Sequence, residues 1–192
     1  ALVGQGTVYV SDNYIVVNKS NNVPCKLFRR DGSYIGSVGS IGQGPGEYQN
    51  VYDIQIDEQN GCIYLLPWRT KDILVYDMAG KYVKDIPLNK KYGNLFVPKG
   101  KMKVDVANNR IAVMSLPFYF LPVVAWVQDM DGNFIHEVPM NHLKIAPSIS
   151  NEIITSKSFG HALDVNLYTL REARKDTLYH FDMKDGKLHP KF

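Results

Sequence analysis

A hairpin pattern that returns four times constrains this chain more than any other feature. In its clearest copy, residues 71–86 read KDILVYDMAGKYVKDI. Ile73, Val75, Val83 and Ile86 flank a polar turn at Asp77 to Gly80 in the alternating manner of half-buried strands. Gly80 suits the positive φ of a tight turn, and Ile, Val and Tyr suit a pleated surface. The other copies are LFRRDGSYIGSV (Leu27 to Val38), WVQDMDGNFIHEV (Trp126 to Val138) and YHFDMKDGKLHPKF (Tyr179 to Phe192). Their turn glycines are Gly32, Gly132 and Gly186.

The glycines recur about every 50 residues, the period of a four-stranded propeller blade rather than of a short solenoid repeat. Each period has room for two more strands. Val51 to Asp57 and Cys62 to Pro67 precede the second hairpin, and Met102 to Ala107 and Arg110 to Ser115 precede the third. Thr7 to Val10 and Tyr14 to Val17 open the first blade, while the less regular fourth offers Glu152 to Ser156 and Leu163 to Leu170. The expected fold is therefore an all-β propeller, partial or open, in a single domain over 1–192. Its four antiparallel blades fall near 1–40, 48–88, 100–140 and 150–192.

A net charge of +3 is too small to indicate nucleic acid, which calls for a clustered basic face. Lys90, Lys91, Lys99, Lys101 and Lys103 form one basic run, read as a solvated loop and strand entry. The two cysteines, Cys25 and Cys62, lack metal-type spacing and fall in strands, as small buried hydrophobes or as one bridge between neighbouring blades. The longest apolar run, Leu116 to Val127, is broken by Pro117 and Pro122 and is too short to span a bilayer. Ala1 follows no leader pattern, and the chain opens directly in what reads as a strand, so a mature or trimmed product is expected.

Residues 36–50, GSVGSIGQGPGEYQN, are the most distinctive local signal. Pro45 and Gly46 are preset for a type II turn. A glycine-rich loop can cradle phosphate, but this one lacks the Gly-Lys-Ser/Thr ending and a following helix. It reads better as the passage from the outer strand of one blade to the inner strand of the next. From Leu27 to Ile86, and above all in the run Gly42 to Tyr48, the sequence resembles the six-bladed β-propeller proteins of Bacteroides-type bacteria, relatives of the NHL-repeat propellers. The resemblance implies an exported protein, periplasmic or lipid-anchored at the outer membrane, with no established activity and no catalytic residues to carry over. Four blades stand where that family has six. An open array would leave edges free for self-association; a closed four-bladed ring is the alternative, and the open arc is favoured.

Long loops should share one face: residues 39–50, 88–100 and 140–150, with 68–71, 117–122 and 171–175. Trp68 with Arg69, Phe118 with Tyr119 and Phe120, and Arg171 with Arg174 would set aromatics and guanidinium groups on one rim, the residue types of binding hot spots. Packing between blades is the alternative role for each aromatic. The function read from this is non-catalytic binding of an envelope protein or a glycan, with Trp68, Arg69, Phe118, Tyr119, Arg171 and Arg174 as ligand contacts and no cofactor.

The resemblance also brings an enzymatic alternative, a metal-dependent hydrolase or lyase acting at the central tunnel. Asn50, Asp53, Asn151 and Glu152 would offer oxygen ligands there, opposed by Lys101 and Lys103. His136, His142, His161, His180 and His189 show no zinc spacing, and no G-x-S-x-G accompanies them. His161 is the first to inspect as an acid or base.

Overall fold

The computed structural model describes residues 6–19, 22–88, 90–92, 97, 99–118, 120–140, 143–146, 152–159, 162–168 and 177–191, with backbone alone at 152, 155–159, 167 and 168. Two compact units divide the chain, Ala1–Ile86 and Pro87–Phe192. The fold is all-β, built of four-stranded antiparallel propeller blades, four in number.

In the first unit, β1 (Thr7–Val10), β2 (Tyr14–Asn18), β3 (Cys25–Arg29) and β4 (Tyr34–Val38) form the first sheet in chain order. The short strands β5 (Ser40–Ile41) and β6 (Glu47–Tyr48) pair in parallel across the connecting loop. The second sheet follows as β7 (Val51–Asp57), β8 (Cys62–Pro67), β9 (Asp72–Asp77) and β10 (Tyr82–Pro87). In the second unit, β11 (Gly100–Asp105), β12 (Arg110–Ser115), β13 (Val123–Gln128) and β14 (Phe134–Pro139) form the third sheet. The fourth comprises β15 (Glu152–Phe159), β16 (Ala162–Tyr168), β17 (Thr177–Asp182) and β18 (Leu188–Pro190).

Turn chemistry sets these boundaries. Gly32, Gly80, Gly132 and Gly186 all take positive φ, between 64° and 88°. In three of these turns the carboxylate opening the turn fastens it: Asp77 accepts from the amides of Ala79 and Lys81, Asp129 from those of Asp131 and Asn133, and Asp182 from that of Lys184. The inner hairpins use a second device, in which Asp57 accepts from Asn60 and Asp105 from Asn108 through both backbone and side chain. That device ends β11 at Asp105, two residues short of the expected Ala107. In the fourth blade β15 runs on to Phe159, beyond the expected Ser156.

Period-two burial builds a core between the two sheets of each unit. Val16, Cys25, Leu27 and Val38 pack with Ile54, Ile63, Leu65, Leu74 and Tyr76 in the first. Ala112, Met114, Ala125 and Val127 pack with Leu163, Val165 and Phe181 in the second. Cys25 is fully buried, Cys62 half-buried, and both are free thiols; burial pushes the Cys25 thiol up to about 11.

The repeats share one cross-strand position whose occupants differ. Its third-strand member lies five residues before the turn glycine in three sheets, and six before it in the fourth, where the turn is one residue longer. The pairs are Val16 with Leu27, Tyr64 with Val75, Ala112 with Val127, and Asp164 with His180. The first three pairs are no more than 3% exposed. In the fourth sheet, at the same register, a carboxylate hydrogen-bonded to an imidazole replaces them.

Candidate functional site

The glycine-rich loop of the first unit is held from inside, which explains its residues one by one. Glu47 folds back so that one carboxylate oxygen accepts from the amide of Gly44 at 2.9 Å, and the other from the Ser40 hydroxyl at 3.3 Å. The Gly44 amide beside it holds the Glu47 carboxyl below its usual range. A Cβ at Gly42 would meet that carboxylate, so a larger residue there would displace Glu47 from its bond to Gly44. Gly46 combines φ +69° with a site where a Cβ would strike the Tyr82 ring at 2.4 Å. Tyr48 is 4% exposed; its hydroxyl donates to the Val38 carbonyl at 2.5 Å and accepts from the Cys25 amide at 2.9 Å. The Tyr76 hydroxyl donates to the Gly46 carbonyl at 2.9 Å. The loop is thus bolted to both sheets of its unit, and the Gly44 amide that could meet a phosphate is taken by the chain's own carboxylate.

Against this loop stands the β8–β9 turn. Trp68 donates its amide to the Asn50 carbonyl at 2.8 Å, tying the turn to the entry of β7. Arg69 adopts φ +54°, and its guanidinium lies over the Trp68 indole at 4.8 Å. Thr70 closes the turn by donating its hydroxyl to the Asp72 carbonyl and accepting from the Asp72 amide. The two segments enclose an open cleft of about 540 Å³, whose lining includes Gln43, Trp68, Arg69, Lys71, Asp72 and Asp85. Trp68 is 40% exposed, a large aromatic left at the surface of a concavity. Burial, and then the nearby Asp85 charge, push the Asp72 carboxyl up. Chemically the cleft offers one aromatic face and a nearly balanced set of charges, with no aligned nucleophile and base among its described residues.

A family model covers residues 1–192 and is described as a domain of unknown function, DUF4934. The chain belongs to that family. No curated protein sequence matches the chain. Among solved structures it is similar to a "Putative exported protein" of Bacteroides fragilis, with a TM-score of 0.56 and 12% identity, covering 99% of this chain and 72% of that one. It is also similar to the GH43 protein BlXynB of Bacillus licheniformis, with a TM-score of 0.55 and 11% identity over 96% of this chain and 40% of that one. A third likeness is to the periplasmic gluconolactonase PpgL of Pseudomonas aeruginosa, with a TM-score of 0.50 and 13% identity over 93% and 53%. At these identities the likeness is one of fold. The DUF4934 chain spans about half or less of the last two proteins.

Of the six residues expected on the rim, the structure brings Trp68 and Arg69 together at the cleft. Phe118 is corrected to a core residue: it is 6% exposed, packed among Leu121, Met140 and Ile145. The reason is a β-bridge between Phe118 and Ile145, reinforced by the Ile145 amide donating to the Pro117 carbonyl at 2.8 Å, which turns Phe118 inward while Phe120 stays exposed. Tyr119, Arg171 and Arg174 lie outside the described residues. So do His142, His161 and Asn151.

Among the described residues of the DUF4934 chain no group of three or more His, Cys, Asp or Glu is placed to hold a metal ion. Asp53 is 6% exposed, and its carboxylate together with burial raises the Tyr9 phenol. Also among the described residues, no helix is long and apolar enough to cross a membrane. Of the basic run, Lys91 pairs with Glu137 at 2.8 Å, and the Tyr92 hydroxyl donates to the same carboxylate.

Besides the exposed pair of His189 with Asp185, the described histidine that meets a carboxylate is His180. Its Nδ1 lies 2.5 Å from Asp164 Oδ1, while Lys191 Nζ donates to Oδ2 at 3.0 Å. Burial acts to raise the Asp164 carboxyl, but these two hydrogen bonds prevail and hold it below its usual range. Counting back from the turn glycines sets Phe181, not His180, against Leu27, Val75 and Val127, so the longer fourth turn hid this position from the sequence. A second groove of about 600 Å³, lined by Val138, Met140, Leu143, Tyr179 and Leu188 among others, lies in the second unit and had no sequence signal.

Proposed function

We propose that this DUF4934 chain is a non-catalytic binding module of an exported bacterial envelope protein, periplasmic or anchored at the outer membrane. It takes a glycan or peptide partner in the cleft between the Gly42–Gln49 loop and the Trp68–Asp72 turn. The observation that carries this reading is Trp68, an exposed indole stacked under Arg69 and facing a loop whose shape is held by buried hydrogen bonds. Holding the loop and the indole in advance lowers the ordering cost of binding, and exposed aromatics in concave sites are where truncation costs most affinity. Export is supported by the fold likeness to the Bacteroides fragilis protein.

The test is capture from envelope extract on immobilised parent and Trp68→Ala proteins, with eluates analysed separately for protein and carbohydrate. The variant keeps the backbone bond from residue 68 and should fold, with a midpoint within about 1 kcal/mol of the parent. A partner retained by the parent and released by the folded variant is the expected result. Equal retention by both refutes the cleft as the site.

A further inference from the structure

We infer that the ligand of this cleft is a neutral, hydroxyl-rich saccharide segment that lies against the Trp68 indole. The inference rests on the binding-module reading above and narrows it to one chemical class.

The lining excludes other classes one at a time. Three carboxylates (Glu47, Asp72 and Asp85) stand against two cations (Arg69 and Lys71), and both cations already have interaction partners. A polyanion would face the carboxylates, and a polycation would face Arg69 and Lys71; neither finds a field of one sign. The backbone donor that would serve an anion, the Gly44 amide, is spent on Glu47. A peptide anchored by apolar side chains needs apolar pockets. Here Leu74 is 7% exposed, and the open apolar surface is the flat indole with the exposed Pro45 ring rather than a pocket.

What remains suits a sugar. A pyranose ring has one face of C–H bonds, which packs on the electron-rich face of an indole, and a rim of hydroxyls that each donate and accept. Gln43, Gln49, Asp72 and Asp85 place amide and carboxylate groups around Trp68, and such groups bind hydroxyls without demanding a charged ligand. Arg69 covers the indole at 4.8 Å and restrains it, so less rotamer freedom is lost on stacking. A volume of about 540 Å³ lies within the range of small-molecule sites, enough for a short stretch of glycan.

The chain carries its own reporter. Of its two tryptophans, Trp126 is 2% exposed, with its indole N–H bonded to Gln128 at 2.9 Å, so a ligand-induced change in emission reports Trp68. The full chain would be titrated with short neutral oligosaccharides of glucose, mannose, galactose and xylose, with an oligogalacturonate, and with capped peptides of mixed sequence. A saturable shift with at least one neutral series is expected. Trp68→Ala should weaken that binding, read by calorimetry, about tenfold or more, and Asp85→Asn by a few-fold. Saturation by the oligogalacturonate or the peptides but by no neutral sugar overturns the saccharide assignment and leaves the binding module standing. Neutral-sugar binding untouched by Trp68→Ala overturns the cleft as its site. No shift with any probe overturns the saccharide assignment, and equal envelope capture by parent and Trp68→Ala then removes the broader reading as well.

Discussion

Replacing Tyr48 by Phe removes one oxygen from the core and tests whether the glycine-rich loop is a structural bolt. That oxygen serves two buried backbone groups, accepting from the Cys25 amide and donating to the Val38 carbonyl. Cys25 and Val38 are register partners at the end of the β3–β4 ladder, so the phenol is inserted where the ladder would otherwise close on itself. Each buried group left unpaired costs about 1–3 kcal/mol. Partial closure of Cys25 on Val38 would recover some of this, which puts the expected loss at about 2–3 kcal/mol. For a chain of this size that is a fall of roughly 5–10 °C in Tm, at about 2–4 °C per kcal/mol. Urea denaturation should show a lower midpoint with an unchanged slope, and hydrogen exchange should be faster at the Cys25 amide. Tyr82→Phe, at a ring that is 38% exposed, serves as the control and should shift stability by less than about 0.5 kcal/mol. A Tyr48→Phe protein as stable as this control, with Cys25 exchange unchanged, would show that the loop does not depend on the phenol.

Other expectations follow from the Asp164–His180 pair and the turn. His180→Val removes one hydrogen bond from the nearly buried Asp164 and should cost about 2 kcal/mol. Asp164→Ala combined with His180→Val installs the third sheet's pair and should recover most of that loss in a double-mutant cycle; purely additive losses would argue against the pair as a replaceable element. Because the folded Asp164 carboxyl lies below its unfolded value of about 3.9, its contribution is complete above that pH and is lost as pH falls through the folded value. The double variant should therefore lose less stability than the parent on acidification below about pH 4, and parallel acid profiles would refute this. At the left-handed Arg69, Arg69→Gly should be more stable than Arg69→Ala by about 1 kcal/mol, since both lose the stacked guanidinium and only glycine relieves the backbone. Equal stabilities would show that strain at 69 is negligible.

Local chemistry made the blades legible. Thr7–Val10, Val51–Asp57, Cys62–Pro67 and Arg110–Ser115 follow directly from alternation bounded by turn residues, because a strand's side-chain period and a glycine's positive φ are properties of a few consecutive residues. The same logic drew attention to residues 42–48 and to Trp68 beside Arg69. It could not show that Tyr48 reaches back to Cys25 and Val38, or that the loop and the β8–β9 turn enclose one cleft, since these contacts join residues 10 or more apart. Phe118 and Trp68 are both aromatic residues of inter-strand loops; a bridge to Ile145 turns the first inward, and a left-handed Arg69 leaves the second at the surface. His180 meets a carboxylate because register sets it opposite Asp164. Pattern and turn chemistry act along the chain, so the sequence determined the strands; pairing across strands and loops acts through space, and the tertiary structure alone decided which of the marked residues meet.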